Sequence, residues 1–241
     1  MNLIFLYVET TELGEGARVV QLAYKDSVTQ EIVNELFRPP VEISCGSMAV
    51  HHITNEMVCD KPSFEGSACK EKLISLLWDN ILVAHNAPFD MGVLGTEGVS
   101  AVRFIDTFRV AQHLIESENH KLQYLRYFLK LNVQGLAHDA LGDVMVMESL
   151  FYYLHNLVRG NHPELDENGV IAKMEELSVA PVLQKIFPFG KYFGKTFSEV
   201  VQMDRAYLRW LFDSETKKPE REQNQNLVYT LKTHLGVQKL F

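Results

Sequence analysis

Leu3 to Thr11 reads LIFLYVETT, and the assignment of this stretch decides the fold. The run is apolar, rich in β-formers and too short for a core helix, and it passes into Glu9-Thr10-Thr11 and then glycines at 14 and 16. It reads as a buried strand. Side chains alternate along a strand, so Leu3, Phe5, Tyr7 and Glu9 share one face and Ile4, Leu6 and Val8 the other. Tyr7 and Glu9 are therefore neighbours at the strand's exit, and a buried carboxylate there is costly unless something compensates its charge.

Working outward, RVVQLAYK (Arg18 to Lys25) alternates as a second strand behind a glycine-containing turn, and Glu31 to Phe37 forms a third, closed by Arg38-Pro39-Pro40. Three consecutive antiparallel strands result. Short helical patches follow between Cys45 and Val58, then a helix from Ser63 to Trp78 with Ser63 as its N-cap. Ile81 to Ala84 is wholly apolar, as expected of a central parallel strand. A helix from Pro88 to about Leu94, a strand from Val102 to Ile105, a helix opening at an Asp106 cap, and helices over Leu122 to Leu131 and Asp139 to Val158 complete an α/β pattern. The expected architecture is a mixed sheet flanked by helices.

The turn-rich NHPELDENG at 161–169 opens a linker expected over 161–180, separating a large domain (1–160) from a small C-terminal α+β module (181–241). Charge divides the same way. Up to Leu177 there are 13 Lys and Arg against 25 Asp and Glu, whereas Ser178 to Phe241 carries 10 against 6. An acidic body suits cation binding and a basic module suits phosphate. With 46% hydrophobic and 22% charged residues, no apolar run of membrane-spanning length and no basic leader, the chain is expected to be cytoplasmic with no membrane partner. Cys45, Cys59 and Cys69 lack metal-binding spacing and are expected to be reduced.

Three carboxylates fall at one edge of such a sheet: Glu9 ending the first strand, Asp90 after the AHNAPFD turn, and Asp143 in the first turns of the long helix. Hard oxygen ligands of this kind suit Mg²⁺ or Mn²⁺, the ions used in pairs for phosphoryl transfer. His138, five residues before Asp143, is placed to act as base, with an ordinary pKa of about 6.5. His51 and His52, adjacent in a helical turn, point apart and read as packed histidines.

ETT at 9–11, HNAPFD at 85–90 and HDALGD at 138–143 resemble, in order and spacing, the three motifs of the DEDDh 3′→5′ exonucleases. PFGKYFGKTFSEV with the following YLRWLF resembles the C-terminal module of bacterial exodeoxyribonuclease X. The resemblance implies a ribonuclease H-like fold and release of nucleoside monophosphates from 3′ ends. It further implies that Glu9 and Asp143 ligate one ion, that Asp90 holds it through water, and that His138 is the general base. Asn86 would shape its turn by hydrogen bonding and Phe89 by packing, and Thr10 would contact the terminal nucleotide. DNA ends, single-stranded or duplex, are the expected partner, with RNA left open.

One element of the pattern is absent. The family's first motif reads Asp-x-Glu-Thr, its aspartate bridging two ions, and here Tyr7 occupies that position. A phenol with a pKa of about 10 supplies no bridging carboxylate at neutral pH. The second ion should bind poorly, leaving a slow or inactive enzyme. Tyr7 is then either a variation in an otherwise active enzyme or the mark of a chain that kept binding and lost turnover. A catalytically silent end-binder and a structural subunit of a replication or repair assembly are the rival readings. Lys191 and Lys195, each following a glycine, suit a phosphate-gripping loop, whereas Tyr207, Trp210 and Leu211 read as core.

Overall fold

The computed structural model describes residues 2–14, 16–133 and 139–237. A five-stranded sheet runs β3-β2-β1-β4-β5, with β1 (Leu3–Thr10) at its centre, β2 (Val19–Asp26), β3 (Ile32–Leu36), β4 (Ile81–Ala84) and β5 (Arg103–Asp106). β1 pairs antiparallel with β2 and parallel with β4, and β4 pairs parallel with β5. Tyr7 stands opposite Ala23 and Glu9 opposite Gln21, and the register slips between Glu9 and Thr10. Such an irregularity re-aims side chains at a sheet edge.

The alternation expected of β1 divides the core in two. Leu3 and Phe5 face Val144, Met147, Leu150, Phe151 and Leu154, while Ile4, Leu6 and Val8 face Phe64, Leu73, Leu77, Val93 and Leu94. Helices α1 (Cys45–His51) and α2 (Asn55–Val58) pack Met48 and Val58 with Val20, Ile43 and Ile53 in a separate small cluster, and the helices that cover the two faces are α3 (Ala68–Asp79), α4 (Ala87–Thr96), α5 (Thr107–Leu114), α6 (Leu122–Phe128), α7 (Ala140–Asn161) and α8 (Glu167–Val179). Phe5 meets Phe151 edge-on at 5.4 Å, fixing α7 over the centre of β1.

Two expectations change. The third helix starts at Ala68 with Ser67, not Ser63, as its cap: the Ser67 hydroxyl accepts the Lys70 N–H at 3.1 Å. Phe64 to Ser67 forms a turn with Gly66 at φ 72°, a left-handed conformation that glycine adopts without penalty, and this delays the helix. Phe64 still enters the core, against Phe37 at 5.0 Å. The stretch expected as a linker holds α8, whose Val170, Ile171 and Met174 are buried with the core of the sheet domain. Ser178 Oγ accepts the Asp106 N–H at 2.8 Å, and Arg103 and Glu175 form a bidentate ion pair. The chain therefore divides into compact units at 1–178 and 179–241.

The second unit contains α9 (Phe197–Met203), α10 (Arg205–Thr216) and α11 (Gln225–Leu235), packed on Phe187, Phe197, Leu208, Leu227 and Leu231. Among the described residues its β content is the single bridge Ile186–Thr196. Leu211 is buried and Tyr207 packs on the core, but Trp210, expected inside, is 60% exposed because Leu208 and Leu211 take the inward face of α10.

Arg18 sets the position of α4 within the first unit. Its guanidinium donates to both oxygens of buried Glu97, at 2.7 and 2.9 Å, just past the end of α4, and its backbone pairs with Thr11 after β1. Removing one partner of such a pair strands the other charge. Arg18→Met should destabilise the protein by about 2–3 kcal/mol, and Arg18→Met/Glu97→Leu should recover most of that loss in urea unfolding. Equal stabilities for the wild type and Arg18→Met would contradict this role.

Candidate active site

The exit of β1 and the starts of α4 and α7 bring Tyr7, Glu9, Asp90 and Asp143 together. Asn86 adopts φ 70° and its N–H donates to Asp106 Oδ1 at 2.8 Å, so the chain turns sharply from β4 into α4. Asp106 also caps α5 by accepting the Phe108 N–H, as its sequence position suggested. Asn86 shapes this turn through its backbone; its side chain makes no capping bond and lines the cleft beside the site. Phe89 packs against the core on the α4 side of the sheet.

The first turn of α4 directs Asp90 inward, where Oδ1 accepts the Val8 N–H at 3.3 Å. Asp139 caps α7 by accepting the Gly142 N–H, and Asp143 follows one turn later, buried. Asp143 accepts a hydrogen bond from the Gln123 amide, and the Tyr7 phenol lies beside it in the cleft. Glu9 is buried too, and its Oε1 has no hydrogen-bond partner among the described residues.

This crowding of acids has electrostatic consequences. Burial, then repulsion from Asp143, Asp90 and Asp139, pushes the Glu9 carboxyl up to about 8. Burial likewise pushes Asp90 up to about 8, against the lowering effect of its backbone hydrogen bonds. Burial and the neighbouring acids Asp143, Glu9 and Asp90 raise Tyr7 above the ordinary phenol range, so it remains a neutral donor. A divalent cation would relieve every one of these strains. Among the described residues, no three His, Cys, Asp or Glu side chains form a ready-made metal cage. The unpartnered Glu9 oxygen and the hard carboxylate donors nonetheless fit one such ion, whereas a second finds a phenol where the bridging carboxylate would be.

Tyr7 and Asp143 open onto a cleft of about 420 Å³, also lined by His85, Asn86, Lys121 and Gln123. His138, expected as the base, lies outside the described residues. Thr10 is buried and committed internally: its hydroxyl donates to the Glu12 carbonyl at 2.8 Å, and its own carbonyl accepts from His51 Nε2 at 3.3 Å. His51 Nδ1 accepts the Ile53 N–H, so His51 is the packed histidine its position implied, whereas His52, expected to pack as well, is exposed at the left-handed C-cap of α1. Sequence reasoning passed over Gln123, Lys121 and His85. Gln123 lies in α6 and Lys121 caps it, where an amide and a lysine carry no signal of their own, and His85 stands in the HNAPFD motif with no role implied for it.

In the second unit, Lys191 is already paired with Asp204 at 3.0 Å and lies over the rings of Tyr192 and Tyr207. The Tyr192 hydroxyl and Lys191 hold the Asp204 carboxyl down to about 2. Lys195 is exposed and makes no ion pair among the described residues.

These motifs and this sheet agree with what the chain is similar to. The exonuclease family named for ribonuclease T matches residues 4–151, and the exodeoxyribonuclease X-like C-terminal family matches 187–215. Exodeoxyribonuclease 10 of Escherichia coli K12 is 33% identical over 221 residues, covering 88% of this chain and 93% of that protein. The DNA polymerase III epsilon subunit of Buchnera aphidicola from Acyrthosiphon pisum is 26% identical over 187 residues, covering 70% and 77%. A solved structure of exonuclease X in complex with 5′ overhanging duplex DNA is 28% identical, is matched over 73% of this chain and 99% of its own, and has a TM-score of 0.55. The chain belongs to the ribonuclease T-type exonuclease family, and its fold is ribonuclease H-like. No helix among the described residues is long and apolar enough to cross a membrane.

His85 provides a pH signature at the cleft wall. Its Nε2 donates to the His120 carbonyl at 2.8 Å and its Nδ1 lies 2.9 Å from the Thr107 hydroxyl. Burial pushes the imidazole down to about 4. The unfolded chain therefore takes up this proton first, near pH 6.5, so stability is full above that pH and falls as pH drops towards 4. The wild type should lose about 3 kcal/mol more than His85→Asn between pH 7 and 4, read from urea midpoints. Parallel pH profiles would contradict a half-buried, neutral His85.

Proposed function

We propose that the chain is a 3′→5′ exodeoxyribonuclease that holds one Mg²⁺ or Mn²⁺ well and a second poorly, releasing nucleoside monophosphates slowly. The observation that carries this reading is the buried Glu9 oxygen without a partner among the described residues, set near Asp90 and Asp143 with the neutral Tyr7 phenol beside them. Glu9 and Asp143 would hold the ion directly, with Asp90 behind them. A bound ion of this kind acidifies water and offsets phosphate charge. His138 is assigned as the base that takes the water's proton. Asn86 at the cleft wall, with Phe89 and Thr10 beneath, would position the terminal nucleotide. The likeness to exodeoxyribonuclease 10 and to the DNA-bound exonuclease X favours DNA over RNA. Lys195, and Lys191 once released from Asp204, would make the second unit's backbone contacts, and its net positive charge suits them. Free cysteines accord with a cytoplasmic setting.

A specific observation favours a second reading, the catalytically silent end-binder. Gln123 donates to Asp143 Oδ1, an oxygen that a cation would otherwise need, and the neutral Tyr7 beside it brings no negative charge to draw one in.

The deciding experiment is Mg²⁺- and Mn²⁺-dependent release of mononucleotides from 3′-labelled single-stranded DNA by the chain and by Tyr7→Asp. Tyr7→Asp should raise the rate on the order of 10²-fold, about 2.7 kcal/mol of barrier. Equal rates would show that the bridging carboxylate is dispensable. DNA binding by both proteins with turnover by neither would establish the end-binder.

A further inference from the structure

Helix α6 presents an aromatic face that the exonuclease reading does not use. Leu122 and Leu125 are buried beneath it, while Tyr124, Tyr127 and Phe128, spaced i, i+3 and i+4, are exposed at 37%, 74% and 48%. Tyr124 and Phe128 are stacked at 5.9 Å and 22°, forming one continuous apolar surface. The Arg126 guanidinium lies 5.7 Å from the centre of the Tyr127 ring.

Charge and position say what covers this face. From Asn119 to His138 the sequence carries Lys121, Arg126 and Lys130 and no Asp or Glu, although the residues up to Leu177 hold 25 acids against 13 Lys and Arg. Lys121 and Gln123, at the start of the same helix, line the cleft that contains Tyr7 and Asp143. The face thus begins at the candidate active site and leads away from it. Lys121 caps the start of α6 and Lys130 sits in the turn after its end, so the helix between them, about 10 Å long at a rise of about 1.5 Å per residue, offers the reach of about two unstacked nucleotides. A protein partner would require no basic stripe continuous with the cleft. A strand whose 3′ end lies in the cleft requires both cations for its phosphates and aromatic faces for its bases.

We propose that α6 is the track for single-stranded nucleic acid immediately upstream of the 3′ terminus, with bases stacking on Tyr124, Tyr127 and Phe128 and phosphates passing Lys121 and Lys130. The proposal rests on the exonuclease reading for the polarity of the strand and on α6 itself for the stacking.

The test uses the full chain in EDTA, which prevents hydrolysis. Unlabelled single strands of about two and about eight nucleotides compete with a labelled strand for the wild type, Tyr124→Ala/Phe128→Ala and Tyr127→Ser. The double substitution should weaken the longer strand about tenfold or more and leave the dinucleotide unchanged, and Tyr127→Ser, at the most exposed ring, should reproduce part of that loss with an unaltered melting temperature. Unchanged affinity for the longer strand in both variants would overturn the proposal. So would a change confined to oligomeric state in sedimentation, which would make the face a protein contact. Failure of the exonuclease reading is distinguished by a 3′-phosphate: if blocking the terminus leaves wild-type binding unaltered, the end-directed cleft falls while the length dependence still reports on α6.

Discussion

Asp90 accepts the backbone N–H of Val8, and the rest of the site depends on that contact. It fastens the first turn of α4 to the central strand and holds a carboxylate where water cannot solvate it. The sheet makes this possible. β1 lies between an antiparallel and a parallel neighbour, so the chain leaving β4 must turn beside the exit of β1. The turn uses Asn86 in a left-handed conformation, pinned by Asp106, and α7 brings Asp143 from the opposite side. Several acids are thereby buried together, an arrangement that costs stability unless a cation or protons offset the charge.

Tyr7 alters how that cost is met. A carboxylate there would deepen the negative potential and draw in two cations. A neutral phenol adds no charge there, and the Gln123 amide donates a hydrogen bond to Asp143. Part of the site is therefore satisfied by the protein's own hydrogen bonds. The Glu9 oxygen left without a partner shows that the compensation stops short of the whole cluster. The residual charge deficit is what makes a single-ion site the economical reading.

Much of this was legible in the sequence because it rests on local periodicity. The two-residue alternation of β1 fixed which side chains face α7, and the fully apolar Ile81–Ala84 marked a strand buried on both faces. The three motifs located the acids, since each lies at a strand exit or a helix start. Other features were not legible because they depend on contacts distant in sequence. NHPELDENG looked like the start of a linker, yet Val170, Ile171 and Met174 beyond it find the core, and Ser178 reaches Asp106. Ser63 and Ser67 are equivalent caps by composition; the left-handed Gly66 between them decided the matter. Gln123 carried no signal, since an amide becomes informative only when a buried carboxylate is found opposite it.

The central claim is that Glu9, Asp90 and Asp143 form one cation site and that Tyr7 denies the second. Counting bound Mn²⁺ by electron paramagnetic resonance, for the wild type and for Glu9→Gln, tests it most directly. One tight ion in the wild type and none in Glu9→Gln is the predicted result; two tight ions in the wild type would contradict the account.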